Sequence, residues 1–365
     1  MMLPKIRIGI VGCGGMAHYH AENFRKIRNV ELTSCLDLAP ERAKAYAAKH
    51  RVRYIAANLE ELVDQVDAVS VVTPDPNHAD SSLVVLRANK HLLCEKPLTV
   101  TLAEARQVAA AAEQAGRYGA IHMVNFYYRR SAALQTAMRI AAADKLGALR
   151  HVHSFYLQST LSCEAWGHWT APAMLWRLQT AAGSRGALGD IGCHILDLTT
   201  AVAGEVARLR CDLRTFPKID KNGKSCTAWK GRKLDANDSA LVGLEFTNGA
   251  VGVVQISRWA TGHLNHLRFE AHGTKGALRF DLARDDGDYR RLDLCLGKTA
   301  KNKVAWTTRT LAETPSIWQR FIHAVRTGCP DQPDILRGAQ VQAYLDACER
   351  SARSGRWEKP GPWIQ

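Results

Sequence analysis

The chain has no apolar run approaching the roughly 18 uninterrupted residues that a membrane helix needs. Its start, MMLPKIRIGIVG, enters a strand-like alternation with neither the apolar core nor the small-residue cleavage site of a signal peptide, so the expectation is a cytoplasmic protein with no membrane partner. Ten cysteines are present, yet none forms a C-x-x-C pair, and their scatter through apolar segments fits free thiols in a reduced compartment. No disulfide framework, zinc site or other metal site is expected. The 49 Lys and Arg against 35 Asp and Glu leave a net charge of +14, but there is no basic run of five or six residues. A dispersed basic surface of this kind does not predict a nucleic-acid partner. Internal repeats and low-complexity tails are also missing.

What remains is an ordinary globular composition, 46% hydrophobic over 365 residues, a length that favours two domains. The first 124 residues alternate short apolar runs with helical patterns, which predicts a parallel sheet wound with crossover helices. Strands are expected near 5–11, 30–36, 52–55, 67–72, 90–94 and 119–124, with helices near 15–27, 40–50, 58–65, 77–89 and 101–115 between them. After Asn125 the pattern changes to a helix near 130–143, a tryptophan-rich stretch, and strand-like runs such as DSALVGLEF and HLRFEAHG. Turns at TNG and GTKG suggest a mostly antiparallel sheet. Two helices close the chain near 314–327 and 335–353, and the polar stretch KIDKNGKSCTAWKGRK reads as a surface excursion. The expected class is α/β, with domains over 1–124 and 125–365.

The string KIRIGIVGCGGMAHYH places Gly12, Gly14 and Ala17 after a strand and at the opening of a helix. Gly12 allows a tight turn, Gly14 lets backbone approach a pyrophosphate, and Ala17 permits close helix–strand packing. Cys13, Gly15 and Met16 fill the same loop, whose helix end offers N–H groups and a positive dipole to phosphates. Asp37, 25 residues beyond Gly12, ends the second strand; a carboxylate there can accept ribose hydroxyls and repel a 2′-phosphate. These features predict NAD as cofactor. Asp37 as a simple cap of the next helix, and NADP accommodated by nearby Arg42, are the competing readings.

A second string, GALGDIGCHILDL, carries Asp190 and His194 four residues apart on an apolar helix-like stretch. Read alone, these are a helix N-cap and a core histidine. Two further strings, VVTPDPNHAD after the fourth strand and LLCEKPLTV after the fifth, complete an ordered set. The glycine fingerprint, T-P…N-H, E-K-P and G-D-I-G-x-H-x-x-D together resemble the Gfo/Idh/MocA family of sugar and polyol oxidoreductases, over essentially the whole chain. Stretches such as LWRLQTAAGSRGALGDIGCHILDL resemble the levoglucosan dehydrogenase branch. One departure stands out: where relatives usually carry asparagine after the phenylalanine of the sixth strand this chain has Tyr127, and Asn125 lies two positions earlier.

The resemblance implies a Rossmann domain followed by an α/β domain whose large open sheet packs against another subunit, giving a homodimer or homotetramer. It implies an NAD-dependent dehydrogenase that oxidises a secondary ring hydroxyl of a sugar, glycoside, anhydrosugar or inositol, by hydride transfer to nicotinamide C4. Lys96, Asp190 and His194 match the family's catalytic trio. His194 suits a base because its ordinary pKa of about 6.5 lies near neutrality; Asp190 would orient it or hold a substrate hydroxyl, and Lys96 would face the developing alkoxide. Thr73, Pro74, Asn77, His78, Glu95 and Pro97 join the cofactor set, His78 as a loop-shaping residue more than a catalyst and Pro97 after a cis bond. Arg129, Trp176 and Arg177 are candidates to hold the sugar. The Trp166–His168–Trp169 cluster either covers the substrate or packs a domain junction, and His151 and His153 read as strand surface. Two other functions stay open: a glycosidase using NAD for transient C3 oxidation and elimination, and a dinucleotide-binding sensor without turnover.

Overall fold

Strand β1 (Ile6–Val11) supplies the axis of the first sheet, with Ile8 and Ile10 fully buried. It pairs in parallel with β2 (Val30–Leu36) on one side and β4 (Ala68–Val71) on the other. Outside these lie β3 (Tyr54–Ile55), β5 (His91–Cys94) and β6 (His122–Val124), giving the order β3-β2-β1-β4-β5-β6. The sheet reverses its winding between β1 and β4, the place where open parallel sheets bind ligands beyond their C-terminal edges. The computed structural model describes residues 5–364 apart from 284–287, 298–299, 301 and 303–304.

Two apolar layers cover this sheet. One contains Ala17, Ala21 and Phe24 of α1 (Gly15–Arg25) and Tyr46 of α2 (Pro40–His50). The other contains residues from α3 (Leu59–Gln65), α4 (His78–Arg87) and α5 (Leu102–Arg117), the last opened by a Thr101–Glu104 capping box. By packing, this unit comprises Met1–Tyr127, Pro315–Gln342 and Pro362–Gln365. The stretch 315–342, which the sequence reading placed in the second domain, thus belongs to it. The reason is visible in the helix later labelled α9 (Ile317–Thr327), whose Ile317, Trp318, Phe321 and Ile322 are buried in the α1 layer.

The second unit, Tyr128–Thr314 with Ala343–Gly361, is built on an eight-stranded sheet. Its strands are β7 (Leu149–Gln158), β8 (Val206–Arg214), β13 (Ser239–Phe246), β14 (Val251–Ser257), β15 (Asn265–Gly273), β16 (Gly276–Ala283), β17 (Arg291–Leu296) and β18 (Thr307–Thr310). The order is β18-β17-β16-β15-β7-β14-β13-β8, and every pair is antiparallel except β7 with β14. Alternation along β15 buries Leu267, Phe269 and Ala271 and turns His266, Arg268, Glu270 and His272 the other way. The polar excursion forms two small ribbons, β9 (Lys218–Ile219) with β10 (Ser225–Cys226) and β11 (Ala228–Trp229) with β12 (Arg232–Lys233). It is anchored as well as exposed: Lys218 is buried, with Nζ 2.6 Å from Asp238 Oδ2, and Trp169 donates its indole N–H to the Ile219 carbonyl at 2.6 Å.

The buried face carries α6 (Ala132–Ala142), the short α7 (Pro172–Leu175) lies in the tryptophan-rich stretch, and α8 (Cys193–Ala203) is almost wholly buried. Helix α10 (Ile335–Ser354) ends the helical part of the chain. Arg129 fixes α8: its guanidinium donates to both oxygens of Asp197, at 2.6 and 2.7 Å, and both partners are buried. Among the described residues no helix is long and apolar enough to cross a membrane. Removing one member of a buried ion pair strands the other, so Arg129→Met should lose about 3–5 kcal/mol in chemical denaturation, and adding Asp197→Leu should restore most of it. A single variant as stable as the parent would show that the pair does not hold α8.

Candidate active site

In the first unit the sequence-predicted glycine loop has the geometry an anionic ligand requires. Gly12 has φ +89°, and a Cβ there would lie 2.8 Å from the Val72 carbonyl oxygen and 2.9 Å from the Thr73 nitrogen. A Cβ on Gly14 or Gly15 would meet nothing within 4 Å, so open space lies over the start of α1, which has no side-chain cap. Uncapped N–H groups at a helix start suit phosphate oxygens. Ala17 is fully buried against the sheet, Cys13 is buried, and Met16 is exposed.

Asp37 stands at the end of β2 with both oxygens engaged. Oδ2 accepts the Cys13 N–H at 2.8 Å and Oδ1 accepts the Ala39 N–H at 2.8 Å, while Arg42 lies 3.4 Å from each. The carboxylate therefore ties the glycine loop to the start of α2, and it keeps lone pairs for further donors. Arg42 itself is largely exposed.

Glu95, Lys96 and Pro97 follow β5, and the Lys96–Pro97 bond is cis. His78 is buried, with Nδ1 2.8 Å from the Pro97 carbonyl oxygen and Nε2 2.9 Å from that of Thr73. Its ring joins the Thr73 and Pro97 loops, so His78 shapes this edge of the sheet. Pro74 and Asn77 are exposed beside it. Thr73 Oγ1 and Asn125 Oδ1 are buried without a hydrogen-bond partner in the chain. Buried polar groups are ordinarily satisfied, and two orphans at the C-terminal edge of the sheet, with the open glycine loop, fit a dinucleotide bound there.

The Glu95 carboxylate is buried, and its burial opposes ionisation. Hydrogen bonding and charge from His20, the charge of Lys96 and the Asn125 amide outweigh that cost and bring its pKa down to about 2. Sequence reading missed His20 altogether and treated Asn125 as a displaced family residue. Its only signal for His20 was the position directly after the fingerprint's His18-Tyr19.

In the second unit, Leu188–Gly192 form a π turn that runs into α8 and carries Asp190 at its centre. Such turns recur at functional sites. Glycine is demanded by packing: a Cβ on Gly192 would sit 3.0 Å from Ile256 Cδ1, and one on Gly189 2.3 Å from Arg185 Cβ. Asn237 clamps the approach, accepting the N–H groups of Ala187 on its carbonyl and Leu188 on Oδ1 and donating to Arg185 O, at 2.8 to 2.9 Å. Asp190 is not a helix cap, since Gly192 holds that position for α8 without a side-chain bond. Its Oδ2 lies 3.9 Å from Arg177 Nε and 4.0 Å from Nη1 of the buried Arg258. Burial pulls the Arg258 pKa down while Asp190 and Asp238 push it up.

His194 is buried, with the Tyr128 ring edge-on at 5.2 Å. The Tyr156 ring lies 6.3 Å away, and Tyr128, Tyr156, Gln158 and Asn265 share a closed set of hydrogen bonds of 2.6 to 3.1 Å. Burial raises the Tyr156 pKa well above its ordinary value, so its hydroxyl keeps its proton. None of these four was singled out from sequence, because strand and loop positions far apart in the chain converge only after folding. Arg177 stacks on Trp176 at 4.7 Å, keeping both as sugar-binding candidates. Arg129 is corrected: buried and forked onto Asp197, it is structural. Trp169 is likewise core, packed with Leu178 and Leu234. His151 and His153 lie on β7, and among the described residues no group of three or more His, Cys, Asp or Glu could hold a metal.

Residues 6–125 match the family profile described as "Oxidoreductase family, NAD-binding Rossmann fold", and residues 134–279 match the "GFO/IDH/MocA C-terminal domain". The chain belongs to the Gfo/Idh/MocA family of oxidoreductases. Its first unit is the family's NAD-binding domain, and its α/β architecture with a parallel and a mostly antiparallel sheet is the family's. Levoglucosan dehydrogenase of Pseudarthrobacter phenanthrenivorans is 27% identical, over 97% of this chain and 98% of that one. D-glucoside 3-dehydrogenase of Escherichia coli is 27% identical over 69% of this chain and 70% of its own. A crystal structure of an oxidoreductase domain protein from Kribbella flavida superposes with a TM-score of 0.84 at 30% identity, over 99% of this chain and all of that one.

The positive φ at Gly12 and the contacts its Cβ would make predict that Gly12→Ala displaces the loop. NADH affinity, followed by the fluorescence of bound NADH, should fall at least about tenfold, the scale of one lost charge-assisted contact to phosphate. Unchanged affinity would remove this loop from the cofactor site.

Proposed function

We propose that the protein is an NAD-dependent dehydrogenase that oxidises a secondary ring hydroxyl of a sugar, glycoside, anhydrosugar or inositol. The observation that carries the reading is Asp190 held between Arg177 and Arg258 on a π turn that feeds His194 into α8. NAD, when bound, supplies the electron-pair acceptor. Lys96 binds the reacting oxygen and stabilises its negative charge as the O–H proton leaves. His194 accepts that proton, a task suited to an imidazole near neutrality. Asp190, its charge favoured by two guanidiniums, accepts a hydrogen bond from a substrate hydroxyl or from the imidazole. Trp176 and Arg177 offer a flat apolar face and a donor fork to a sugar ring. The dehydrogenases of levoglucosan and of D-glucosides support a glucose-like ring, and the second of them supports C3 as the carbon oxidised.

Asp37 at the β2 end supports NAD over NADP. Exposed Leu241, Val251 and Val253 on the outward side of the second sheet support a homodimer or homotetramer formed through that face. All ten cysteines are free thiols, which supports a reducing, cytoplasmic compartment.

Lys96→Ala or His194→Ala should lower turnover at least about a hundredfold, the usual contribution of a positioned proton-transfer group. Near-normal rates in either variant with NAD still bound would contradict the assigned roles. Asp37→Ala should weaken NAD binding much more than NADP binding in parallel titrations, and equal losses would remove the ribose assignment.

A further inference from the structure

His20 lies on α1, inside the first unit, and none of its ring is exposed. Its Nε2 is 2.9 Å from Glu95 Oε1 and its Nδ1 is 2.8 Å from Ser70 Oγ on β4. Asn125, just after β6, donates to the same Glu95 oxygen at 2.5 Å, and the Lys96 backbone N–H donates to Oε2 at 3.1 Å. The Trp318 indole of α9 stands edge-on over the imidazole at 5.0 Å. His20 from α1, Asn125 from the end of β6 and the Lys96 backbone therefore converge on one buried carboxylate, while Ser70 of β4 and Trp318 of α9 hold the imidazole.

Hydrogen-bond bookkeeping sets the proton positions. An ionised carboxylate is acceptor-only, so His20 Nε2 must carry a proton toward Glu95. Ser70 Oγ then serves Nδ1 in either state, donating to a neutral ring or accepting from a charged one. The groups facing Glu95 are His20 from α1, Asn125 from the β6 end and Lys96 from its own loop. Its neighbour Cys94 on β5 has a thiol pushed up to about 12, chiefly by burial, and stays neutral. Without His20, burial would govern the carboxyl and favour its protonated form.

We propose that His20 is a positioning residue: clamped by Ser70, it keeps Glu95 ionised and fixed, and through Glu95 it holds Lys96 in place for the reaction. This rests on Lys96 serving the dehydrogenase chemistry proposed above. A charged Glu95 anchors the Lys96 backbone and attracts its ammonium; a protonated one does neither as well. A group whose pKa is depressed in the folded protein contributes above that pKa and ceases to contribute as pH falls through it. Losing His20 raises that point, so the Glu95 carboxyl must take up its proton at higher pH.

The test compares the parent, His20→Leu, His20→Gln and Ser70→Ala. Gln keeps an N–H donor toward Glu95; Ser70→Ala leaves His20 present but unclamped. Infrared difference spectra against Glu95→Gln report the Glu95 carboxyl without any need for turnover, and kcat against pH reports its effect on the reaction. In His20→Leu the Glu95 midpoint should rise by at least about two pH units, and the plateau of kcat should fall about tenfold as Lys96 loses its fixed anchor. KM for the sugar should stay within about threefold, as for an interaction made mainly in the transition state. His20→Gln should restore most of both, and Ser70→Ala should give a smaller shift in the same direction. A Glu95 midpoint that does not move in His20→Leu, or a kcat plateau equal to the parent's, overturns the proposal; should His20→Leu fail to fold, an unshifted Ser70→Ala does so. A parent enzyme that oxidises no sugar would defeat the dehydrogenase reading instead, and the infrared titration would still decide the link between His20 and Glu95.

Discussion

A carboxylate buried in a protein interior is costly unless several donors share its charge, and Glu95 is such a group at the C-terminal edge of the parallel sheet. Holding it requires His20 from α1, Asn125 from β6 and the Lys96 backbone, elements that meet only if the Rossmann sheet is closed and α1 starts where the glycine loop starts it. The same α1 offers its uncapped end to the cofactor. Cofactor loop, Lys96 and buried carboxylate are thus consequences of one packing arrangement. Trp318, from the far end of the sequence, completes it by covering His20, which explains why 315–342 belongs to this unit.

The second unit solves a matching problem with different parts. Asp190 must stay charged near a buried arginine, and His194 must be held in an apolar helix without losing its chemistry. The π turn, fixed by Asn237 and by glycines with no room for a Cβ, sets the position of Asp190. The Arg129–Asp197 pair fixes α8, and the rings of Tyr128 and Tyr156, themselves hydrogen-bonded with Gln158 and Asn265, stand beside the histidine. Polar groups of this kind are expensive to bury singly and stable only as a satisfied network.

Much of the fold was legible in the sequence because strand and helix periods are local properties. All six strands and five crossover helices of the first sheet fall close to their expected places, with β3 reduced to two residues. The motif residues were legible for a related reason: glycine, Glu-Lys-Pro and Asp-x-x-x-His mark special backbone or chemistry at fixed spacing. His20, Asn237, Arg258 and Asn265 were not, since each looks like an ordinary residue until a distant partner reaches it. Arg129 misled in the opposite sense, because an arginine in the turn after β6 looks the same whether it faces a substrate or a buried Asp197. The packing of 315–342 was hidden likewise, an amphipathic helix showing that it has a buried face but not which core receives it.

The central claim is net oxidation of a sugar-type hydroxyl with NAD, and NADH absorbance tests it most directly. The purified protein with added NAD is presented with a panel of sugars, glycosides, anhydrosugars and inositols. A dehydrogenase gives sustained growth of the NADH band with at least one glucose-like member, lost in Lys96→Ala. A flat trace across the panel would contradict it, and glycoside cleavage in the same tubes would point to transient oxidation by a retained cofactor.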